Sequence, residues 1–598
     1  MKRISLLCFA ATTFTGAPLA ADSLSEYIEP DAHVVISAQS PAEVFLELET
    51  HSMGALFKDQ SLQQFIDSIA GWQDETEEAA DDGGNAAGFL VVMKEEFGLT
   101  LEAFFKLFPG EISMAFYNIT DEILGKNART EGVILAKFSG DEERMGELMQ
   151  IQFERNAKRQ KENDPLIEHE LIEEKFMGET LYMDEVFNGE ETYIEDGYAL
   201  VDGVFVLATE HRLRKTIELI KEGGDSILSS EPYQSSLEYS GRGDARLYFN
   251  LEALMAPLNA AMIDKLGEGA LAMFGVTAQS MQSALSLESL QAFFIELNLV
   301  EEGLLSNSGI LYSEKEGLLR LLTYTEDELP RAFYTPEGVF AASVSNFNLG
   351  DMISELQNLI ALASPSVPML VDIQLQQIKN ETGIDLRAAV LDNLRGNVVS
   401  LSVMDTSSRD LEIPLVEQLY VIDIEDAEAL SQAIEALKDL VPGMRDLIKS
   451  REHEGATIHT FAPQPNPLDA ASPVNDISYV ITRSQLILNV GRTGLLQEVL
   501  SRMAGSEDGF WQQDSTDELF EIIAKPNPVT RSYVDFEQMI DSLIKSFAVA
   551  SSLGGLSSQI DLSKFPTEMD FPVVAITEAN ENEGGIFLRA LLIEKEAE

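Results

Sequence analysis

The sequence is poor in the residues that carry chemistry or covalent stabilisation. It has one cysteine in 598 residues, Cys8. That cysteine lies inside an apolar N-terminal stretch, so a chain freed of the stretch has no thiol nucleophile and forms no disulfide. Histidines number six. Glu168-His169-Glu170-Leu171-Ile172-Glu173 lacks the second histidine of a zinc-protease helix, and His453 and His459, six apart, do not share a helical face. With His33, His51 and His211 they are expected to play structural roles. No Gly-x-Ser-x-Gly elbow, no Walker-type phosphate loop and no Gly-x-Gly-x-x-Gly after a strand is present. Beyond the N-terminus no run of eighteen apolar residues offers a spanning helix. Positive charge is scarce too. There are 41 basic residues against 101 acidic ones, a net charge of −60. Such a field repels phosphate backbones and anionic lipid head groups, so no nucleic-acid partner is expected. The 45 % apolar content nevertheless argues for packed domains rather than disorder.

What is present begins with an export signal. Lys2 and Arg3 precede an apolar stretch from Ile4 to Phe14, and small residues lead to Leu19-Ala20-Ala21. Leu19 and Ala21 suit the −3 and −1 positions of a cleavage site, so residues 1–21 are expected to leave and Asp22 to begin the mature chain. Losing Lys2 and Arg3 takes the charge from −60 to −62. The expected location is the periplasm or the cell exterior.

The rest of the chain reads as two tandem copies of one α+β unit, residues 22–326 and 327–598, each a mainly antiparallel sheet with helices on one face. The strand-like run Pro30 to Ala38 enters a helix through Ser40-Pro41-Ala42-Glu43, a cap, a first-turn proline and a reciprocal acid. Pro336 to Val344 repeats it, with Asn348 and Asp351 as cap and acid, and with Leu349, Ile353, Leu356 and Ile360 on one helical stripe. Gly98-Leu99-Thr100-Leu101 leads on to Gly110, as Gly383-Ile384-Asp385-Leu386 leads on to Gly396, and the first glycines differ by 285. The strand Val133–Phe138, entering a helix through Ser139 and Glu142, pairs with Leu419–Ile424. The hairpin at Tyr198 and Val204 pairs with that at Tyr479 and Leu486, and Arg246–Glu252 pairs with Arg531–Glu537. Two terminal hairpins complete the series. Each copy is expected to run β-α, β-β-α, β-β-β-α, β-α-β-β. Insertions fall in loops: the acidic stretch Gln73–Gly88 in the first copy, and a proline-rich one from Pro463 to Pro473 in the second.

The signal segment, the Pro-x-Ala-x-Val-Val strand opening a helix, and the repeated Gly-Leu-Thr-Leu/Gly-Ile-Asp-Leu element resemble a widespread family of long exported bacterial proteins classed as a domain of unknown function. The resemblance covers nearly all the mature chain. It implies an exported, periplasmic or surface-associated protein, and it carries over no catalytic residue.

The functional expectation is an exported, non-catalytic envelope protein with a binding or structural role, with no metal or cofactor. A carrier of an apolar ligand or lipid is one alternative. It rests on two Met-rich, weakly charged stretches, with Met255, Met262, Met273, Phe274 and Met281 in the first copy and Met539 and Phe547 in the second. A hydrolase working through a carboxylate pair is the other, since among 101 acids some pair always lies close. Glu578, Asn580 and Asn582 before Gly584-Gly585 faintly suggest a calcium loop. The bidentate acid at its end is missing, and a hairpin turn is the preferred reading.

Overall fold

The structure is a computed structural model describing residues 23–51, 53–54, 100–120, 130–266, 276–364, 366–405, 415–440, 443–461, 476–505, 509–540 and 572–595. The export segment, the acidic stretch Gln73–Gly88 and the proline-rich loop from Pro463 to Pro473 lie outside these residues. The chain forms two compact units: residues 1–261 with 288–313, and residues 262–287 with 314–598. The division is therefore not a single cut, because residues 262–287 belong with the second unit.

The first unit contains strands β1 (Val34–Ala38), β2 (Ile112–Tyr117), β3 (Glu131–Lys137), β4 (Glu168–Phe176), β5 (Glu179–Phe187), β6 (Thr192–Val201), β7 (Val204–Ala208), β8 (Ala245–Asn250), β9 (Leu290–Val300) and β10 (Gly303–Tyr312). All pair antiparallel in the order β4-β5-β6-β7-β3-β2-β1-β8-β9-β10. Its helices include α1 (Pro41–Thr50), α2 (Leu101–Leu107), α3 (Glu142–Asn163), α4 (Glu210–Glu222), α5 (Glu231–Ser240) and most of α6 (Leu251–Leu266), whose residues from Met262 onward belong to the second unit. The core forms where Val34, Ile36, Met114 and Phe116 of the central strands meet Leu107, Phe108, Met145 and Leu148 from the helices. Ladders satisfy the backbone, and side-chain alternation sends one face inward; β10 shows it plainly, every second residue being buried.

The second unit contains β11 (Ala341–Ser345), β12 (Val398–Asp405), β13 (Leu415–Asp423), β14 (Ile448–His453), β15 (Ala456–Phe461), β16 (Ile477–Ile481), β17 (Gln485–Val490), β18 (Pro528–Asp535), β19 (Val573–Asn582) and β20 (Gly585–Glu594). Its order is β14-β15-β16-β17-β13-β12-β11-β18-β19-β20, again antiparallel throughout. Helices α7 (Ala278–Leu285), α8 (Leu349–Ala363), α9 (Ser366–Thr382), α10 (Ala427–Leu440) and α11 (Gly494–Ala504) belong here. Val344, Val399, Leu401, Leu419 and Val421 pack against Leu495, Leu496 and Val499 in its core. The α+β class and the antiparallel sheet are as read from sequence.

Local details depart from that reading. Between α3 and α4 run four strands, not three, because Glu168–Phe187 folds into a hairpin of its own. The turn at Met177-Gly178, with φ of 50° and 91°, is the type that matches strand twist. Ser40 makes no side-chain cap bond, although Pro41 does open α1. Helix α3 starts after Asp141, which accepts from the Arg144 amide at 3.1 Å, rather than at Ser139. Gly140, at φ 91°, turns the chain first, and a carboxylate serves the positive helix end as well as a hydroxyl does. Asn348 caps α8 as expected: its Oδ1 accepts from the Asp351 amide at 3.1 Å, and its side-chain amide donates to the Asp351 carboxylate at 2.6 Å.

Candidate functional site

Strands β4, β5 and β6 meet at one irregularity. Met183 faces Gly197 and Glu185 faces Ile194, so Asp184 stands against two residues, Glu195 and Asp196. This is a β-bulge, which re-aims side chains. On the other side of β5, His169 faces Val186 while Asp184 faces Leu171, a diagonal placement on one sheet face within reach of long side chains. The His169 ring is buried, with its side chain 1 % exposed. Its Nδ1 lies 2.9 and 3.1 Å from the two Asp184 oxygens. Its Nε2 is buried and has no hydrogen-bond partner.

Helix α3 covers the cluster. Phe153 sets its ring edge-on to His169, with centroids 6.3 Å apart, and Gln160 donates its side-chain amide to Glu195 Oε2 at 2.9 Å. Seven residues separate these two, about two turns, so they share a helix face. Burial raises the Asp184 pKa from its ordinary value; His169 works against this, and the Glu195 charge adds to it. One ligand atom each from His169, Asp184 and Glu195 can be chosen with all three within 4.8 Å of one another. Nothing in the sequence flagged this group, because a bulge has no spacing signature. The one available signal was the alternation of charged residues around His169.

Three other histidines are engaged structurally. His51 Nε2 lies 3.0 Å from the Val300 carbonyl, and its Nδ1 accepts from the Met53 amide. His453 Nε2 lies 3.1 Å from the Gln497 carbonyl. His459 stacks on Tyr479 at 4.8 Å, as Tyr182 stacks on Tyr198 at 4.8 Å in the first unit. Three arginines pair with acids, most of them buried or half-buried. Arg212 bonds Glu29, Asp31 and Glu131 at 2.6, 3.1 and 2.7 Å and lies over the Tyr117 ring. Arg246 pairs with Glu296 at 3.0 Å, and Arg531 with Glu578 at 2.9 Å. Ser23, Ser37, Tyr233, Gly243 and Arg246 line a recess of about 10 Å³, room for one water and not for a sugar ring.

The suspected calcium loop is a hairpin between β19 and β20. Glu578 is taken by Arg531, Asn580 donates to the Pro526 carbonyl, and Asn582 Oδ1 accepts from Gly584 N within the turn.

The Met-rich stretches are only partly visible. Met273, Phe274 and Phe547, and the side chain of Met262, lie outside the described residues. Met255 on α6, Met281 on α7 and Met539 after β18 are each half-buried, and Met255 belongs to a different unit from the other two.

The conspicuous apolar surface lies elsewhere, on α8 and α9 of the second unit. Leu356, Ile360 and Leu362 on α8 and Met369, Leu370, Val371 and Ile373 on α9 are all exposed, Met369 by 58 % and Leu370 by 61 %. The α8 stripe read from periodicity is thus only half covered at Leu349 and Ile353, and open at Leu356 and Ile360. The C-terminal half of α9 is anchored where Leu375 and Ile378 pack on Leu386, Ala389 and Ala433. No residue of α9 is fully buried, and in its N-terminal half Met369, Leu370, Val371 and Ile373 are exposed. Among the described residues no helix is long and apolar enough to cross a membrane.

No family model matches the chain, and no curated protein matches it. Two solved structures of TP0453 are similar over part of it. Crystal form I is 10 % identical with a TM-score of 0.19, covering 45 % of this chain and 95 % of that one. Crystal form III is 11 % identical with a TM-score of 0.23, covering 46 % and 83 %.

Proposed function

We propose that this chain is an exported, non-catalytic envelope protein that associates with uncharged lipid through the apolar face of α8 and α9. The observation that carries the reading is the exposure of seven large apolar side chains between Leu356 and Ile373. Exposed apolar residues scattered singly need no explanation, but seven large ones within the eighteen residues from Leu356 to Ile373 of two consecutive helices are a concentration that marks a binding surface. The N-terminal half of α9 gains little from packing within its own unit, and a short helix is marginal without a partner for its apolar face. From Ala361 to Val371 no residue is charged, in a chain whose charged content is 24 %. An uncharged apolar surface fits that stretch, and the net charge of −60 disfavours anionic head groups.

Export rests on the segment ending at Ala21, and membership of the exported family rests on the motifs that resemble it. Descent of the two units from one duplicated ancestor is part of the same proposal. Their strand orders coincide, and the Arg246–Glu296 and Arg531–Glu578 pairs occupy the same places in the order, facing each other across β8–β9 and β18–β19.

The test is co-sedimentation with phosphatidylcholine vesicles. The wild-type chain is expected to bind, and the triple variant Met369→Ser, Leu370→Ser, Ile373→Ser to bind more weakly by on the order of tenfold or more, since each apolar side chain kept from water is worth about 1.5–3 kcal/mol when fully buried. A wild-type chain that stays in solution, or a variant that binds equally, overturns the reading.

A further inference from the structure

We propose that His169, Asp184 and Glu195 form a binding site for a divalent transition-metal cation of the zinc class, held by one imidazole nitrogen and two carboxylate oxygens. The donors come from three adjacent strands of one sheet, brought together by the bulge at Asp184. Zinc sits about 2.0–2.2 Å from nitrogen and oxygen donors, so a tetrahedral set needs them roughly 3.5 Å apart. His169 Nδ1 and Asp184 are already closer than that, and the whole set lies within 4.8 Å, so small side-chain movements close it.

Charge points the same way. Two carboxylates face one imidazole, and a cation neutralises what the ring does not. The outer support is in place, because Gln160 orients Glu195 from α3, and such second contacts fix ligand geometry. His169 also differs from the histidine the fold uses as a plain connector. His51 engages both ring nitrogens with backbone groups, whereas His169 directs its bonded nitrogen at a carboxylate and leaves the other buried without a partner.

The site is confined to the first unit. Counting from the stacked pairs Tyr182–Tyr198 and His459–Tyr479, Phe461 stands at the strand position of Asp184, and a phenyl ring offers no ligand. Among the described residues no second group of this kind occurs.

The experiment is a Zn²⁺ titration of the full mature chain by calorimetry, in excess Ca²⁺ so that the hard cation occupies surface carboxylates. The expected result is one Zn²⁺ per chain that survives calcium. Its affinity falls by about tenfold or more in His169→Gln and Asp184→Asn and stays unchanged in Glu190→Gln, an exposed acid outside the cluster. The thermal midpoint of the wild-type chain rises with Zn²⁺, and those of the two ligand variants do not. Should Asp184→Asn fail to fold, Glu195→Gln carries the same expectation from a half-exposed side chain. Zinc binding that calcium abolishes, or that is equal in the wild type and the folded His169→Gln variant, overturns the proposal.

Discussion

Arg246 and Glu296 face each other across β8 and β9, and Arg531 and Glu578 do so across β18 and β19. Their surroundings differ. The Arg246 side chain is 4 % exposed and the Arg531 side chain 34 %. Truncating one partner of a buried pair leaves an uncompensated charge, at about 3–5 kcal/mol, while a partly solvated arginine returns to water at smaller cost. Glu296→Gln, which strands the buried Arg246, is therefore expected to lower the unfolding midpoint in urea clearly more than Glu578→Gln, which leaves the half-exposed Arg531 to water, and equal shifts would contradict the buried setting. Asp244 supplies a second residue-level expectation. Burial raises its pKa to about 7, with Glu296 and Glu47 adding to the rise. Below about pH 4 both folded and unfolded states hold the proton; between about 4 and 7 only the folded state does. Stability from this group is thus present at low pH and lost as pH rises through 7. Urea unfolding at several pH values should show Asp244→Asn gaining on wild type across that window. At this scale the sequence was legible in part. The kinship of Arg246 and Arg531 was visible, but their glutamate partners depend on strand register, which no local pattern states. The same holds for His169, whose carboxylates come from two other strands.

Elements were read more securely than their ends. Thr100 and Asp385 were matched in sequence, and each caps the helical turn that follows: the Ala103 amide donates to Thr100 Oγ1 at 3.2 Å, the Ala388 amide to Asp385 Oδ1 at 3.3 Å. Alanine at either site is expected to cost about 1 kcal/mol, measured as a shift in the unfolding midpoint of its own unit. The glycines framing these turns are twelve residues apart in the first unit, Gly98 to Gly110, and thirteen in the second, Gly383 to Gly396. The extra residue has a place to go. Arg387–Leu391 is a π-helical turn, which widens the ring of backbone atoms to take one residue more. The first strands also correspond one residue later than sequence matching suggests. Val34 faces Phe249 as Ala341 faces Val534, an offset of 307 rather than the 306 between Pro30 and Pro336. Short apolar runs can slide by one in sequence comparison, whereas in a sheet that slip would turn every side chain to the other face. The α8 stripe shows the reverse limit. Periodicity places these residues on one stripe, and in the fold that stripe is half open, because amphipathicity does not say what covers it.

At the scale of the whole molecule, composition was the more informative guide. A net charge of −60 sets up self-repulsion that salt relieves, so the thermal midpoint is expected to rise between low and moderate ionic strength, and a flat response would show the charges to be locally compensated. The same field is expected to favour phosphatidylcholine vesicles over vesicles rich in anionic lipid. The antiparallel class followed from alternating strands joined by short turns. Among the described residues exposed apolar side chains concentrate between 356 and 373, apart from the Met-rich residues 255–281 and 539–547 that composition singles out, because composition does not say which side chains a fold leaves open. The central claim is that this face meets lipid, and the near absence of cysteine permits a direct measurement. In a chain with Cys8 replaced by serine, Leu370→Cys carries an environment-sensitive fluorophore, and Glu190→Cys carries it as the control. Adding phosphatidylcholine vesicles should shift emission to the blue at position 370 and leave position 190 unchanged. No shift at 370, or the same shift at both, would contradict the account.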